Sequence, residues 1–100
     1  TATSTDGTGT SASFNLPSRI TIDPTNTYLY VTESNAKKIR RVTISNGDVT
    51  TIAGSGAGTS TDGTGTSASF NYPNGITIDP TNTYLYVTES TGKIRKISYL

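Results

Sequence analysis

Apolar and polar positions alternate in short runs along this chain. Residues 20–23 read Ile-Thr-Ile-Asp, and residues 27–33 read Thr-Tyr-Leu-Tyr-Val-Thr-Glu. A period of two puts successive side chains on opposite faces and predicts strands. In the second run Tyr28 and Tyr30 share one face while Leu29 and Val31 share the other. Residues 38–45 (Lys-Ile-Arg-Arg-Val-Thr-Ile-Ser) predict a third strand and residues 49–54 (Val-Thr-Thr-Ile-Ala-Gly) a fourth. The intervening Asp23-Pro24-Thr25-Asn26 is a turn signal, because Pro24 fixes φ and Asn26 tolerates a tight bend. Asn46-Gly47-Asp48 is a hairpin signal, since Asn and Gly both accept positive φ. Short strands joined by short turns make a meander. Apolar or aromatic side chains on both faces predict a sheet covered on both sides, which suits blades stacked around an axis.

The pattern is then repeated. Sliding the chain by 56 residues superimposes residues 3–34 on 59–90, and only Leu16/Tyr72, Ser18/Asn74 and Arg19/Gly75 differ. Beyond that the register slips by one, so that Lys38-Ile39-Arg40-Arg41-Val42 matches Lys93-Ile94-Arg95-Lys96-Ile97. Each copy opens on the same phrase, Thr-Ser-Thr-Asp-Gly-Thr-Gly-Thr-Ser-Ala-Ser-Phe-Asn, at 3–15 and 59–71. Internal identity of this kind predicts a repeat architecture, with one unit over 1–54 and a second over 55–100. It marks either a very recent duplication or a designed repeat. A chain that opens on Thr1 reads as a processed product, an excised piece or an engineered chain.

Composition adds mostly exclusions. Cys and His are both absent, which removes disulfides, thiolate catalysis, Cys-based zinc sites and the commonest general base and metal ligand. The 21 Thr and 12 Ser favour β-structure. A net charge of +1 gives no overall field for nucleic acid or membrane. No apolar run reaches the length of a bilayer span, and no signal peptide is visible. A Thr/Ser-rich chain without Cys is compatible with a secreted or cell-surface bacterial origin, and equally with the cytoplasm.

Residues 62–97 resemble the NHL-repeat β-propeller family. The resemblance is carried by Asp62-Gly63-x-Gly65, Ala68-x-Phe70, Pro73-x-Gly75-Ile76, Leu85-Tyr86-Val87, the acidic Glu89 and Lys93-Ile94-Arg95-Lys96-Ile97. Residues 49–56 resemble the link into the next blade in bacterial members, and the likeness extends over essentially the whole chain. It implies four-stranded antiparallel blades, commonly six to a propeller, with the second blade here lacking its outermost strand. The family's Gly before the innermost strand is Gly75 in the second unit and Arg19 in the first, a departure that questions a need for positive φ there. Two blades cannot close a ring and would leave apolar faces in water. The expectation is a homo-oligomer with closed cyclic symmetry, a trimer giving six blades.

Several residues are candidates for a binding face. The loops before the innermost strand and after the second strand would share one face of a propeller. That face would carry Asp6, Asn15, Arg19, Glu33 and Lys37, with Asp62, Asn71, Glu89 and Lys93 in the second unit. Asp6-Gly7-Thr8-Gly9 and its copy at Asp62 offer a thin calcium ligand set, since that ion takes six to eight oxygens. The competing reading is an Asp bonded to its own turn. Glu33 and Glu89 either act as carboxylate catalysts or cap the next turn. Seven of the eight basic residues fall at 37–41 and 93–96, where they form a nucleic-acid-binding ring or pair with Glu33 and Glu89. Phe14, Phe70, Tyr28, Tyr30, Tyr84 and Tyr86 are expected to pack between blades.

The functional expectation is a non-enzymatic, self-assembling propeller scaffold with no cofactor. The alternative is a propeller face that binds sugar or RNA. A metal-dependent propeller enzyme comes last, because the histidine ligands of the family's zinc lyase have no counterpart here and hydrolysis would rest on carboxylates and Asn alone.

Overall fold

A computed structural model describes residues 3–98, so Thr1 and Leu100, the outer bounds of the two expected units, lie outside the described residues. The chain is all-β, with two antiparallel sheets and no α-helix among the described residues. Strands β1 (Gly7–Thr8), β2 (Pro17–Ile22), β3 (Tyr28–Glu33), β4 (Lys38–Thr43) and β5 (Asp48–Ala53) form the first sheet in the order β1-β5-β4-β3-β2. Strands β6 (Pro73–Ile78), β7 (Tyr84–Glu89) and β8 (Ile94–Ser98) form the second in chain order.

Four strands per unit were expected, and the first sheet has five. The addition is β1, two residues of the opening phrase that pair Gly7 with Val49 and Thr8 with Asp48 on the outer strand. β2 also starts at Pro17, three residues before the alternation becomes visible at Ile20. Both β2 and β6 carry a register irregularity, between Pro17 and Arg19 and between Pro73 and Gly75. Gly75 does not have positive φ. A Cβ there would run into Thr88 Oγ1, so the position calls for close approach rather than special backbone geometry. The first sheet accommodates Arg19 at the corresponding place opposite Thr32.

The turns follow their sequence chemistry. Asn26 sits at φ 59° and Asn82 at φ 60°, each past the proline of its Asp-Pro-Thr-Asn turn. Asp23 Oδ1 accepts the N–H groups of Thr27 (2.7 Å) and Tyr28 (3.0 Å), and Asp79 Oδ1 accepts those of Thr83 and Tyr84 (2.8 Å each). These bonds satisfy donors that the turn would otherwise leave open. Gly47, at φ 77°, closes the β4–β5 hairpin, but Asn46 does not take the positive φ expected of it; its Oδ1 instead accepts the Asp48 N–H at 2.9 Å.

The core lies between the two sheets. Tyr30, Ile39 and Ala53 from the first sheet meet Leu85 and Val87 from the second, with Ala68 and Phe70 of the loop before β6 beside them. The Tyr face of β3 therefore packs against the Leu/Val face of β7. One apolar face of each sheet is thus buried against the other sheet. Each fully buried aliphatic or aromatic side chain contributes about 1.5–3 kcal/mol through apolar burial.

Candidate functional site

The strongest polar constellation is built twice, once around each copy of the opening phrase. Residues 5 and 13 pair through their backbones (Thr5 N to Ser13 O, 3.2 Å; Ser13 N to Thr5 O, 2.9 Å), which folds the phrase into a small hairpin. Gly9 turns it at φ 57°. A Cβ on Gly7 would come within 2.9 Å of the Ser11 backbone, so that position also needs glycine. The hairpin lies over Arg40 of β4. Arg40 Nη1 donates to Ser4 Oγ (2.9 Å), Ser13 O (2.9 Å) and Glu33 Oε1 (3.1 Å). Nη2 donates to Thr5 O (2.9 Å) and Asp6 Oδ1 (3.0 Å). Glu33 also accepts from Ser4 Oγ at 2.8 Å and from the Asn15 N–H at 2.6 Å. The guanidinium stacks on Phe14, 4.9 Å from the ring centroid.

Arg95 repeats the arrangement. Its Nη1 reaches Ser60 Oγ, Ser69 O and Glu89 Oε2, and its Nη2 reaches Thr61 O and Asp62 Oδ1, all at 3.0 Å. Glu89 accepts from Ser60 Oγ (2.9 Å) and the Asn71 N–H (2.8 Å), and Phe70 lies 4.8 Å from the guanidinium. A planar guanidinium with a fixed fork of donors suits this task, and a Lys could not reach so many acceptors at once. Arg40 and Glu33 are fully buried. Buried ions are tolerated only when paired and hydrogen-bonded, and this pair has both.

The candidate residues therefore separate. Asp6, Glu33, Asp62 and Glu89 are held in the two arginine clamps, and Asn15 and Asn71 contribute backbone N–H groups to them. Asp6 Oδ1 takes Arg40 and the Thr51 hydroxyl (2.8 Å), which puts a cation's charge already against that oxygen. No group of three or more acidic, His or Cys side chains is placed to hold a metal among the described residues. Arg19 is exposed and donates to its neighbour's carbonyl, Ser18 O, at 2.9 Å. Lys37 stands at the junction of the sheets, with Nζ 4.6 Å above the Tyr72 ring, while Lys93 is exposed on the second sheet. The nine residues do not converge on one point.

The basic clusters are likewise engaged with aromatic rings. Arg41 lies 4.5 Å over Tyr28 and Lys96 lies 4.6 Å over Tyr84. Tyr30 and Phe70 are in the inter-sheet core, and Tyr28 packs against it. Phe14, Tyr84 and Tyr86 lie outside that cluster, with Phe14 lining a cavity of about 410 Å³ alongside Ile20, Val31 and Val42.

Three carboxyls sit below their ordinary value. Burial pushes Asp6 upward, but the hydroxyl and backbone of Thr51 and the Arg40 guanidinium outweigh it. Burial also opposes ionisation of Asp23, and the hydrogen bonds from Tyr28, Thr25, Thr27 and Asn82 prevail. Asp79 is lowered chiefly by the Thr81 hydroxyl and the Tyr84 N–H. Tyr30 moves the other way: burial raises its phenol, against the opposing influence of Arg41.

Sequence reasoning placed the acids of the clamps and offered pairing of the basic clusters with Glu33 and Glu89, which Arg40 and Arg95 make. It did not single those two arginines out from their basic neighbours, nor assign a role to Ser4, Ser13, Ser60 or Ser69. The available signal was the fixed order within each unit, an identical serine-rich phrase, then a Glu closing one strand, then an Arg early in the next.

No protein-family model matches the chain, and no curated protein matches it. Among solved structures, a crystal structure of a protein of unknown function from Bacteroides thetaiotaomicron superimposes with a TM-score of 0.87 at 31% sequence identity. The alignment covers 98% of this chain and 25% of that one, so the chain spans about a quarter of its solved relative.

Proposed function

We propose that the chain is a non-enzymatic β-propeller module of the NHL-repeat type, whose two sheets are blades, and that it assembles head to tail into a closed ring. One observation carries this reading: side chains at equivalent positions are buried where the sheets meet and exposed where the pair ends. Tyr30 and Ile39 are 0% exposed in the core, whereas their counterparts Tyr86 and Ile94 are 37% and 76% exposed. On the opposite side, Phe14, Ile20, Val31 and Val42 line an open cavity of about 410 Å³. Their counterparts Phe70, Ile76, Val87 and Ile97 are the groups that pack at the inter-sheet core. The exposed end of one copy thus matches the cavity of the next, using contacts the chain already makes internally. Such a heterologous contact closes into a ring when its rotation divides a full turn. Three copies supply the six blades implied by the family resemblance.

The test is mass in solution across a concentration series, by size exclusion with light scattering. The expected mass is three chains. A folded monomer at every concentration overturns the reading. Ile94→Asp and Ile20→Asp should each abolish assembly while leaving the intrachain interface intact.

A further inference from the structure

The two sheets differ in one place that assembly does not explain. In the first, β5 lies between β4 and β1, pairing Ile39 with Ala53, Arg40 with Thr51, Arg41 with Thr50 and Val42 with Val49. Its other edge pairs with Gly7 and Thr8. Two side-chain bonds fix that register: the Thr51 hydroxyl donates to Asp6 Oδ1 (2.8 Å) and the Thr8 hydroxyl to Asp48 Oδ1 (2.6 Å). In the second sheet the corresponding lips are β8 and Gly63-Thr64. Among the described residues no strand pairs with the outer edge of β8. The space between them is a groove of about 680 Å³, lined by Asp62, Gly63, Thr64 and residues 94–98, with Ile52, Ala53, Ala68 and Phe70 at its inner end.

The groove keeps the fittings of an occupied berth. Asp62, Gly63 and Thr64 repeat Asp6, Gly7 and Thr8, and Ile94, Arg95, Lys96 and Ile97 repeat Ile39, Arg40, Arg41 and Val42. The Asp62 side chain is 99% exposed where that of Asp6 is 51%, because no Thr51 equivalent covers it. We infer that this groove is a strand-acceptor site, and that its occupant is an extended segment with the pattern Asp-Val-Thr-Thr-Ile-Ala, running antiparallel to β8. The register follows from β5. The terminal Ala lies against Ile94, the second Thr against Arg95 with its hydroxyl on Asp62, and the first Thr against Lys96. The Val lies against Ile97, and the Asp takes the Thr64 hydroxyl. Backbone bonds to an open edge give the affinity, and the alternating side chains give the choice of sequence.

The test uses a fluorescent peptide of residues 46–54 (Asn-Gly-Asp-Val-Thr-Thr-Ile-Ala-Gly) with the 100-residue chain, at dilutions where light scattering reports a monomer. Saturable one-to-one binding is expected, with slowed hydrogen exchange in β8. Replacing the second Thr by Val removes one hydrogen bond to a carboxylate and should weaken binding about tenfold. A peptide with Pro in place of the second Thr should not bind. Absence of binding at about 1 mM peptide overturns the inference, since affinity weaker than that is not specific strand addition. So does β8 protection that rises with protein concentration and ignores the peptide, which assigns the groove to a second copy. The outcome is independent of ring assembly: a chain that forms trimers when concentrated but takes no peptide when diluted refutes this inference alone, and one that binds peptide but stays monomeric at every concentration refutes the ring alone.

Discussion

The two halves of this chain are nearly the same text in different surroundings. Ile39 and Ile94 follow the same Lys and precede the same Arg, yet one is a core residue and the other faces water. Tyr30 and Tyr86 differ in the same sense. The arginine clamps do not: both guanidiniums are sequestered, both carry an acid from the preceding strand, and both pin the same loop. Burial of the strand faces is therefore conferred by the neighbouring sheet, whereas the clamp is the property of a single repeat.

That contrast can be broken most directly at the arginines. Arg40→Ala leaves Glu33 buried without its counter-ion, and should cost about 3–5 kcal/mol in chemical denaturation. Arg95→Ala should be nearly as costly if the clamp belongs to each repeat. A cost at Arg95 of only a few tenths would mean that the second clamp depends on context after all. Next come the isoleucines, where the halves should diverge. Ile39→Ala empties part of the inter-sheet core and should cost about 2–5 kcal/mol, while Ile94→Ala should stay within about 0.5 kcal/mol in the monomer. Equal losses at the two sites would contradict the burial difference.

The response to pH is smaller and shared by both halves. Asp6, Asp23 and Asp79 have folded-state values below the ordinary 3.8, so the stability they contribute is present above that pH. It is lost as the pH falls through the lower folded values. Tyr30, raised above 10.0, contributes stability that is complete below pH 10 and lost as the pH climbs through its higher folded value. Without histidine, the denaturation midpoint should be flat from about pH 5 to 9 and fall on both sides, and Asp23→Asn should soften the acid limb. A marked slope near neutrality would contradict this assignment. The smallest effect is expected at Gly75→Arg, which imports the residue found at the same place in the first sheet. The Thr88 hydroxyl is the close obstacle and must turn away, giving up its bond to Asn74 Oδ1 (2.8 Å), so melting should show a loss of no more than about 1 kcal/mol.

Strands β3 to β5, and β7 and β8 as copies of β3 and β4, were legible in the sequence because alternation and Asp-Pro-Thr-Asn or Asn-Gly-Asp turns are local signals. β1 was not, since two residues between glycines carry no period and pair only because β5 arrives beside them. Pro17 and Ser18 were missed as strand residues for a similar reason: the irregularity before Arg19 breaks the alternation. The role of Arg40 was hidden because its charge resembles that of Arg41, and adjacent strand residues point to opposite faces. Only the fold decides which of the two is turned onto Phe14 and Glu33 and which onto Tyr28 on the opposite face.

The clamp also ties each sheet to the loop that precedes it. Arg40 holds the loop that precedes its own sheet, through acceptors at Ser4, Thr5, Asp6 and Ser13, rather than the loop that leaves it. The connector is thus baggage that travels with the sheet after it. A copying event framed on the serine-rich phrase carries both halves of every ion pair together, whereas one framed strand to strand would part an arginine from its loop. The heritable segment is the phrase plus the strands it leads, and a lineage can lengthen its array by that segment without inventing a new joint.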